Sequence, residues 1–134
     1  MEKNVLFLLT PKAQVACLDE NTNVRQAIEK MKAHGFSAIP LIDKDGVYKG
    51  MVSEGDLLRH ILSIGSVANK DLEKTKIKDI VQLDTSNAIK VGENIAALTK
   101  LIVDHNFIAV VDDRNVFMGI VTRKMVMNLL LDNI

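Results

Sequence analysis

A single cysteine, Cys17, is all the thiol chemistry in this 134-residue sequence, which excludes an internal disulfide and a cysteine-built zinc site. The simplest role for that side chain is a small buried hydrophobe. Charge of one sign is missing as well. The 17 basic and 17 acidic residues cancel, which removes the global field that draws a chain to a nucleic acid polymer or an anionic membrane. Any anion site must therefore be local. The longest apolar runs, such as Val5 to Leu9 and Val126 to Leu131, fall far short of the roughly 20 residues that span a bilayer. The opening MEKNVLFLLTPK has no small-residue cleavage pattern and makes a poor signal peptide, so a cytoplasmic protein is expected. No glycine-rich phosphate loop, His-x-x-Glu-His type spacing or nucleophile elbow occurs. The paired acids Asp43/Asp45 and Asp112/Asp113 lie in hairpin turns that they themselves favour. With no catalytic dyad, an enzyme is not expected. The histidines do not assemble a metal site either: His34 and His105 are repeat equivalents at helix C-termini, and His60 has no matching partner. Neither metal nor cofactor is expected.

What is present is a repeat. At 48% hydrophobic and 25% charged the composition is that of a globular chain, and it says nearly the same thing twice. Residues Val24 to Leu58 read VRQAIEKMKAHGFSAIPLIDKDGVYKGMVSEGDLL, and Ile95 to Met127 read IAALTKLIVDHNFIAVVDDRNVFMGIVTRKMVM. His34 and Phe36 precede His105 and Phe107 by 71 positions, whereas Gly50 precedes Gly119 by 69. A two-residue deletion, placed around Ile39-Pro40-Leu41, reconciles the copies. A doubled unit this short predicts two half-domains about a pseudo-twofold axis, with ligand sites between them.

Local signals give each copy the order β-α-β-β-α, an α/β (α+β) fold class. Asn23 can cap a helix whose Val24, Ala27, Ile28 and Met31 fall on one face, ended by His34-Gly35. Ala38 to Ile42 reads as a buried strand, Asp43 to Gly46 as a turn, Val47 to Val52 as a strand, and Glu54 to Ile64 as a helix. In the second copy Asn94 caps a helix carrying Ile95, Leu98 and Ile102; strands follow at Phe107 to Val111 and Val116 to Val121, then a helix at Arg123 to Leu131. The predicted organisation is an N-terminal segment at 1–14, a first unit at 15–64, a linker with a short helix at 65–87 and a second unit at 88–134.

Two helix starts stand out where the copies differ. Thr122 can cap the last helix, putting Arg123 and Lys124 in its first turn, where cations oppose the macrodipole at about 0.3–1 kcal/mol each. A sequence selected for stability alone would carry Asp or Glu there. Either these are solvated surface charges, or they hold an anion jointly with the Thr hydroxyl and backbone N–H groups. At the matching place Ser53-Glu54-Gly55-Asp56 is close to a capping box and needs no ligand to explain it. Met125 stands where the first copy has Asp56, so the two places are not equivalent.

The stretches SAIPLIDKDGVYKGMVSEGDLL and AVVDDRNVFMGIVTRKMV resemble the cystathionine-β-synthase (CBS) domain, here as the tandem pair called a Bateman module. The resemblance runs from about Val15 to Leu131 and includes the Asp-to-Gly spacing of 43 to 50 and 112 to 119 and the Ser/Thr at 53 and 122. LTPKAQVACLD and VFMGIVTRKMVMNLL are further similar to small bacterial CBS-pair proteins that bind cyclic di-AMP. The resemblance implies a stand-alone regulatory module whose basic pair contacts ligand phosphate and whose Asp56 receives the ribose hydroxyls of an adenine nucleotide. It also implies how each cleft is assembled. One combines Val15, Ala16, Phe36, Ser37 and Ala38 with Thr122, Arg123 and Lys124; the other combines Ala88, Ile89, Ile108 and Ala109 with Ser53 and Asp56. Phe36 stacks on a base in that arrangement, although core packing explains it too, since Phe107 sits at the matching place. The implied ligand is cyclic di-AMP, with AMP, ADP or ATP at Asp56 as the alternative. The implied partners are a second copy of the chain and a regulated protein; a protein-interaction or dimerisation module without nucleotide is the reading from another class.

Overall fold

The computed structural model describes residues 4–35 and 37–132. After a 3₁₀ turn at Val5–Leu8 come β1 (Thr10–Pro11), β2 (Leu18–Asp19), α1 (Val24–His34), β3 (Ala38–Ile42), β4 (Tyr48–Ser53), α2 (Glu54–Ile64) and α3 (Asn69–Leu72). A 3₁₀ turn at Ile77–Asp79 leads on to β5 (Ala88–Lys90), α4 (Ile95–Ile102), β6 (Phe107–Val111), β7 (Phe117–Thr122) and α5 (Arg123–Asp132). The chain divides into two compact α/β units. Residues Ala16–Thr85 make one, and the residues up to Val15 join those from Ser86 onward in the other.

In the Ala16–Thr85 unit, β3 pairs in parallel with β2 and antiparallel with β4. Helix α1 begins as its sequence dictates: Asn23 Oδ1 accepts from the Gln26 amide at 2.9 Å, and Gln26 Oε1 accepts from the Asn23 amide at 3.3 Å. It ends at Gly35, whose φ of 67° is the left-handed conformation that glycine adopts without strain. Val24, Ala27 and Met31 are buried against Leu18, Ile39, Leu41, Val52 and Leu57. The polar stretch that follows α2 also feeds this core, through Leu72, Ile77 and Val81. Backbone bonds from Ile77 N to Thr22 O (2.8 Å) and from Lys78 N to Glu20 O (3.0 Å) stitch it alongside α1.

The other unit has a four-stranded sheet in the order β1-β7-β6-β5. Its core gathers Ile89, Leu98, Ile102, Ile108, Val110, Val121 and Val126, together with Val5 and Leu8 from the N-terminal segment. That segment is an added edge: Thr10 and Pro11 pair antiparallel with Ile120 and Gly119. Both hairpin turns are built on their aspartates, as expected. Asp43 Oδ1 accepts from the Asp45 and Val47 amides (2.8 and 2.9 Å), and Asp112 Oδ1 from the Arg114 and Val116 amides (2.8 and 3.0 Å). The Val47 amide, helped by Asp45 and Lys49, holds the Asp43 carboxyl below the usual carboxylate range.

Strand register corrects the placement of the deletion. Ala38 pairs with Ser53 and Leu41 with Gly50; Phe107 pairs with Thr122 and Val110 with Gly119. Both ladders shift by a bulge at equivalent steps, Leu41/Ile42 and Val110/Val111. The strands therefore match at a constant separation of 69, and the two missing residues lie ahead of β6, in the turn that leaves the preceding helix, not around Ile39-Pro40-Leu41. Helix α4 also stops early. Its last residue is Ile102, so His105 lies beyond the helix in the following turn instead of capping its end.

Candidate functional site

Helix α2 starts with its own carboxylate folded back on it. Asp56 Oδ2 accepts from the Ser53 amide (2.8 Å) and the Ser53 hydroxyl (3.0 Å), while Ser53 Oγ accepts from the Asp56 amide (3.2 Å). The other carboxylate oxygen, Oδ1, accepts from Arg59 Nη2 at 2.6 Å. The Asp56 side chain is 19% exposed and the Arg59 side chain 72%. The capping box read from the sequence is thus formed, and both oxygens of Asp56 are already engaged within the unit. Asp56→Ala should lower stability by about 1 kcal/mol through the lost cap, whereas Arg59→Ala, which breaks only an exposed ion pair, should cost less than about 0.5 kcal/mol. Urea unfolding of the two variants checks the ranking; equal losses would contradict it.

Helix α5 starts on the same plan. The Arg123 amide donates to the Asn106 carbonyl (2.9 Å) as the Glu54 amide donates to the Ser37 carbonyl (2.9 Å), and Thr122 Oγ1 accepts from the Met125 amide (3.2 Å). Met125 has no carboxylate to close the box. The guanidinium of Arg123 turns away from its own helix: Nε donates to the Ile102 carbonyl (3.3 Å) and Nη2 to the Val103 carbonyl (3.0 Å). This corrects the expectation that the charge opposes a macrodipole. Arg123 sits at the C-terminal end of α4, where a cation is favourable and where no left-handed glycine like Gly35 ends the helix. Lys124 is exposed beside it, with no ion pair or hydrogen bond among the described residues.

The register brings some of the expected site residues together and separates others. Ala38 lies opposite Ser53, with Ser37 and Asp56 adjoining them. Ala16 is half-buried against the core of the same unit. Val15, Ala88, Ile89, Ile108, Ala109, Thr122, Arg123 and Lys124 belong to the other unit. There Ala88 pairs with Ala109, and Ile89, Ile108 and Ala109 are buried. Phe36 lies outside the described residues. Because the deletion precedes β6, the second-unit counterparts of Ser37 and Ala38 are Asn106 and Phe107. A further polar group that spacing does not reveal is Lys30, whose amine donates from α1 to the Cys17 carbonyl. Its position on a helix face otherwise reads as solvated charge.

Among the described residues no group of three or more His, Cys, Asp or Glu side chains is arranged to hold a metal ion, and no helix is long and apolar enough to cross a membrane. Between α1 and α2, Ile28, Met31, Leu57, Leu58 and Ile61 line a groove of about 330 Å3 with Lys32 and Glu54 at its sides.

Comparison with known proteins agrees with the doubled architecture. The chain matches the CBS domain twice, over residues 7–63 and 77–132. It is 22% identical over 127 residues to the cyclic di-AMP receptor B of Bacillus subtilis (strain 168), covering 95% of this chain and 86% of that protein. Among solved structures, CbpB in complex with c-di-AMP superposes with a TM-score of 0.87 at 27% identity, over 97% of this chain and 85% of that one. The Listeria monocytogenes CbpB complex with c-di-AMP superposes at 0.84 and 29%, with 96% of each chain covered. The two hairpins, the two capped helix starts and this pair of matches make the chain a member of the CBS-domain family, in its tandem form.

Proposed function

We propose that this chain is a cytoplasmic nucleotide sensor that binds an adenine nucleotide, cyclic di-AMP by preference, and signals its occupancy to a regulated protein without catalysing a reaction. The similar proteins crystallised with c-di-AMP support the ligand class. The observation that carries the reading is the contrast between the two helix starts. At α5 an exposed Lys124, the donors of Arg123 that α4 does not use and the Lys124 amide, the one in the first turn not already given to Asn106 or Thr122, suit a phosphodiester. At α2 the carboxylate that would take a ribose diol is occupied by Ser53 and Arg59. Cyclic di-AMP has its 3′ oxygens esterified and presents no vicinal diol, so it does not need Asp56 freed; AMP, ADP and ATP do. The base then falls to Ala16, Ser37 and Ala38. Binding acts as population shift, the ligand favouring whichever arrangement places its cations around phosphate.

A second copy of the chain is the proposed assembly partner. Leu58 and Leu62 on α2, and Met127 and Leu131 on α5, occupy equivalent places in the repeat and are all more than half exposed. Burying such stripes is what a homodimer or a pure interaction module would achieve.

A thermal-shift panel of cyclic di-AMP, AMP, ADP and ATP tests the sensor. Cyclic di-AMP at a hundredfold excess over its dissociation constant should stabilise the fold by about 2.7 kcal/mol, and Lys124→Ala should remove most of that shift. An AMP shift lost only in Asp56→Ala would replace the preferred ligand with the mononucleotide. No shift with any of the four would leave the interaction module.

A further inference from the structure

Helix α2 begins with a set of residues that α5 does not repeat. At the separation of 69 that the strand register gives, Gly55, Asp56 and Arg59 correspond to Lys124, Met125 and Asn128. The first three belong together. Asp56 Oδ1 accepts from Arg59 Nη2 at 2.6 Å, and Gly55 leaves the room in which that guanidinium lies. A Cβ at position 55 would stand 3.2 Å from Arg59 Nη1 and 3.9 Å from Arg59 Cζ. Nothing in the backbone calls for glycine here. Residue 55 lies inside α2 and does not share the positive φ of Gly35, Gly50 or Gly65, and glycine is among the poorest helix formers.

An ionised carboxylate offers about four lone-pair sites. Oδ2 of Asp56 fills its share with the Ser53 amide at 2.8 Å and the Ser53 hydroxyl at 3.0 Å. A vicinal diol donates two hydroxyls and so needs both sites on Oδ1, where Arg59 already stands on one. The contact is displaceable. The Arg59 side chain is 72% exposed, and exposed ion pairs contribute little to stability. Such a pair is dispensable to the fold and still stands in the way of a competing donor.

We infer that Arg59 is a specificity-determining residue, a latch on Asp56 that Gly55 makes room for and that disfavours nucleotides carrying a free 2′,3′-diol. A phosphodiester esterified at its 3′ oxygens makes no demand on Asp56 and is untouched by the latch. Once Arg59 is removed, Oδ1 offers both lone pairs while Oδ2 and Ser53 keep the helix cap, so the carboxylate becomes a diol acceptor without rearrangement. Met125 denies α5 the same device. The inference rests on the nucleotide-sensor reading and adds to it the residue that sets mononucleotides apart from cyclic dinucleotides.

Isothermal titration with AMP, 2′-deoxy-AMP and cyclic di-AMP, on the intact chain and on Arg59→Ala, Arg59→Lys and Gly55→Ala, tests the latch. The two mononucleotides carry the same phosphate, so their ratio isolates the diol from the charge that a variant removes. The intact chain should bind both equally weakly. Arg59→Ala should prefer AMP to 2′-deoxy-AMP about fivefold, the scale of one exposed ion pair, and should bind cyclic di-AMP as the intact chain does. Gly55→Ala should gain the same preference together with a higher melting temperature, because its methyl group displaces the guanidinium and improves the helix. Arg59→Lys, which keeps a cation within reach of Oδ1, should return the ratio towards one. An intact chain that already prefers AMP, or an Arg59→Ala variant without that preference, overturns the latch while cyclic di-AMP binding keeps the sensor. If the intact chain binds none of the three nucleotides and neither does any variant, the sensor reading fails and takes the latch with it.

Discussion

Gly119→Ala is expected to destabilise its unit by about 3 kcal/mol, combining backbone strain and overpacking of roughly 1–3 kcal/mol each. The residue has a φ of 154°, outside the range that a side chain readily accepts. A Cβ there would also overlap the Thr10 carbonyl and come within 2.8 Å of Leu9 Cδ1. Neither neighbour can give easily. Thr10 is tied into the β1–β7 ladder, and the chain just before it is anchored by Val5 and Leu8 in the core. The methyl group therefore lifts the N-terminal segment off β7 or bends β7 away from it. Gly50, its repeat counterpart, has a φ of 139° and an open approach only by comparison: a Cβ there would stand 3.2 Å from the backbone of Asp84. Gly50→Ala should cost about half as much. Calorimetry gives the ranking, with a drop of roughly 10 °C expected for Gly119→Ala. Trypsin cleavage after Lys12 should accelerate in that variant alone. An unchanged melting temperature would mean that the segment is a loosely held appendage and not an edge strand.

The same pair of glycines shows how far the sequence could be read. As letters, Gly50 and Gly119 fixed the repeat, and the buried strands Ala38–Ile42 and Phe107–Val111 and the helix Glu54–Ile64 have the bounds that hydrophobic runs and capping residues predict. Such signals are local, because each element must satisfy its own termini and present one apolar face. What escaped is non-local. Two histidines and two phenylalanines 71 positions apart imitate an alignment, and only the ladder partners show that Phe107 matches Ala38 and not Phe36. Nothing in VLFLL says which sheet it will cover, and the polar stretch carrying Leu72, Ile77 and Val81 has too few apolar residues to show periodicity, although all three are buried. At the candidate site the Ser53–Asp56 cap was legible because its partners are three residues apart. The reach of Arg123 was not, since the carbonyls it serves are exposed by the early end of α4, some 20 residues away in sequence.

That reach makes Arg123→Ala the other substitution with a large expected effect, one that falls on both stability and binding. The Ile102 and Val103 carbonyls would lose a charged donor, worth about 1–3 kcal/mol for bonds of this kind, with the lower end favoured because the Nη2 bond is exposed and the Nε bond is 3.3 Å long. Affinity for cyclic di-AMP should fall about a hundredfold, since a bidentate cation beside phosphate is worth more than a neutral donor. Lys124 separates the two roles. Its amine supports nothing within the unit and sits in the first turn of α5, so Lys124→Ala should weaken binding and slightly raise stability, by about 0.3–1 kcal/mol. Arg123→Lys keeps the charge without the planar fork, so it should recover part of the affinity while leaving the end of α4 poorly capped. Binding should also weaken with added salt in the intact chain and less steeply in either alanine variant, because each removes a cation that salt would screen. Isothermal titration at two ionic strengths, paired with urea unfolding, reads all four outcomes. A normal affinity in Arg123→Ala, together with a stability loss, would make this arginine a helix cap alone and leave the phosphate to Lys124.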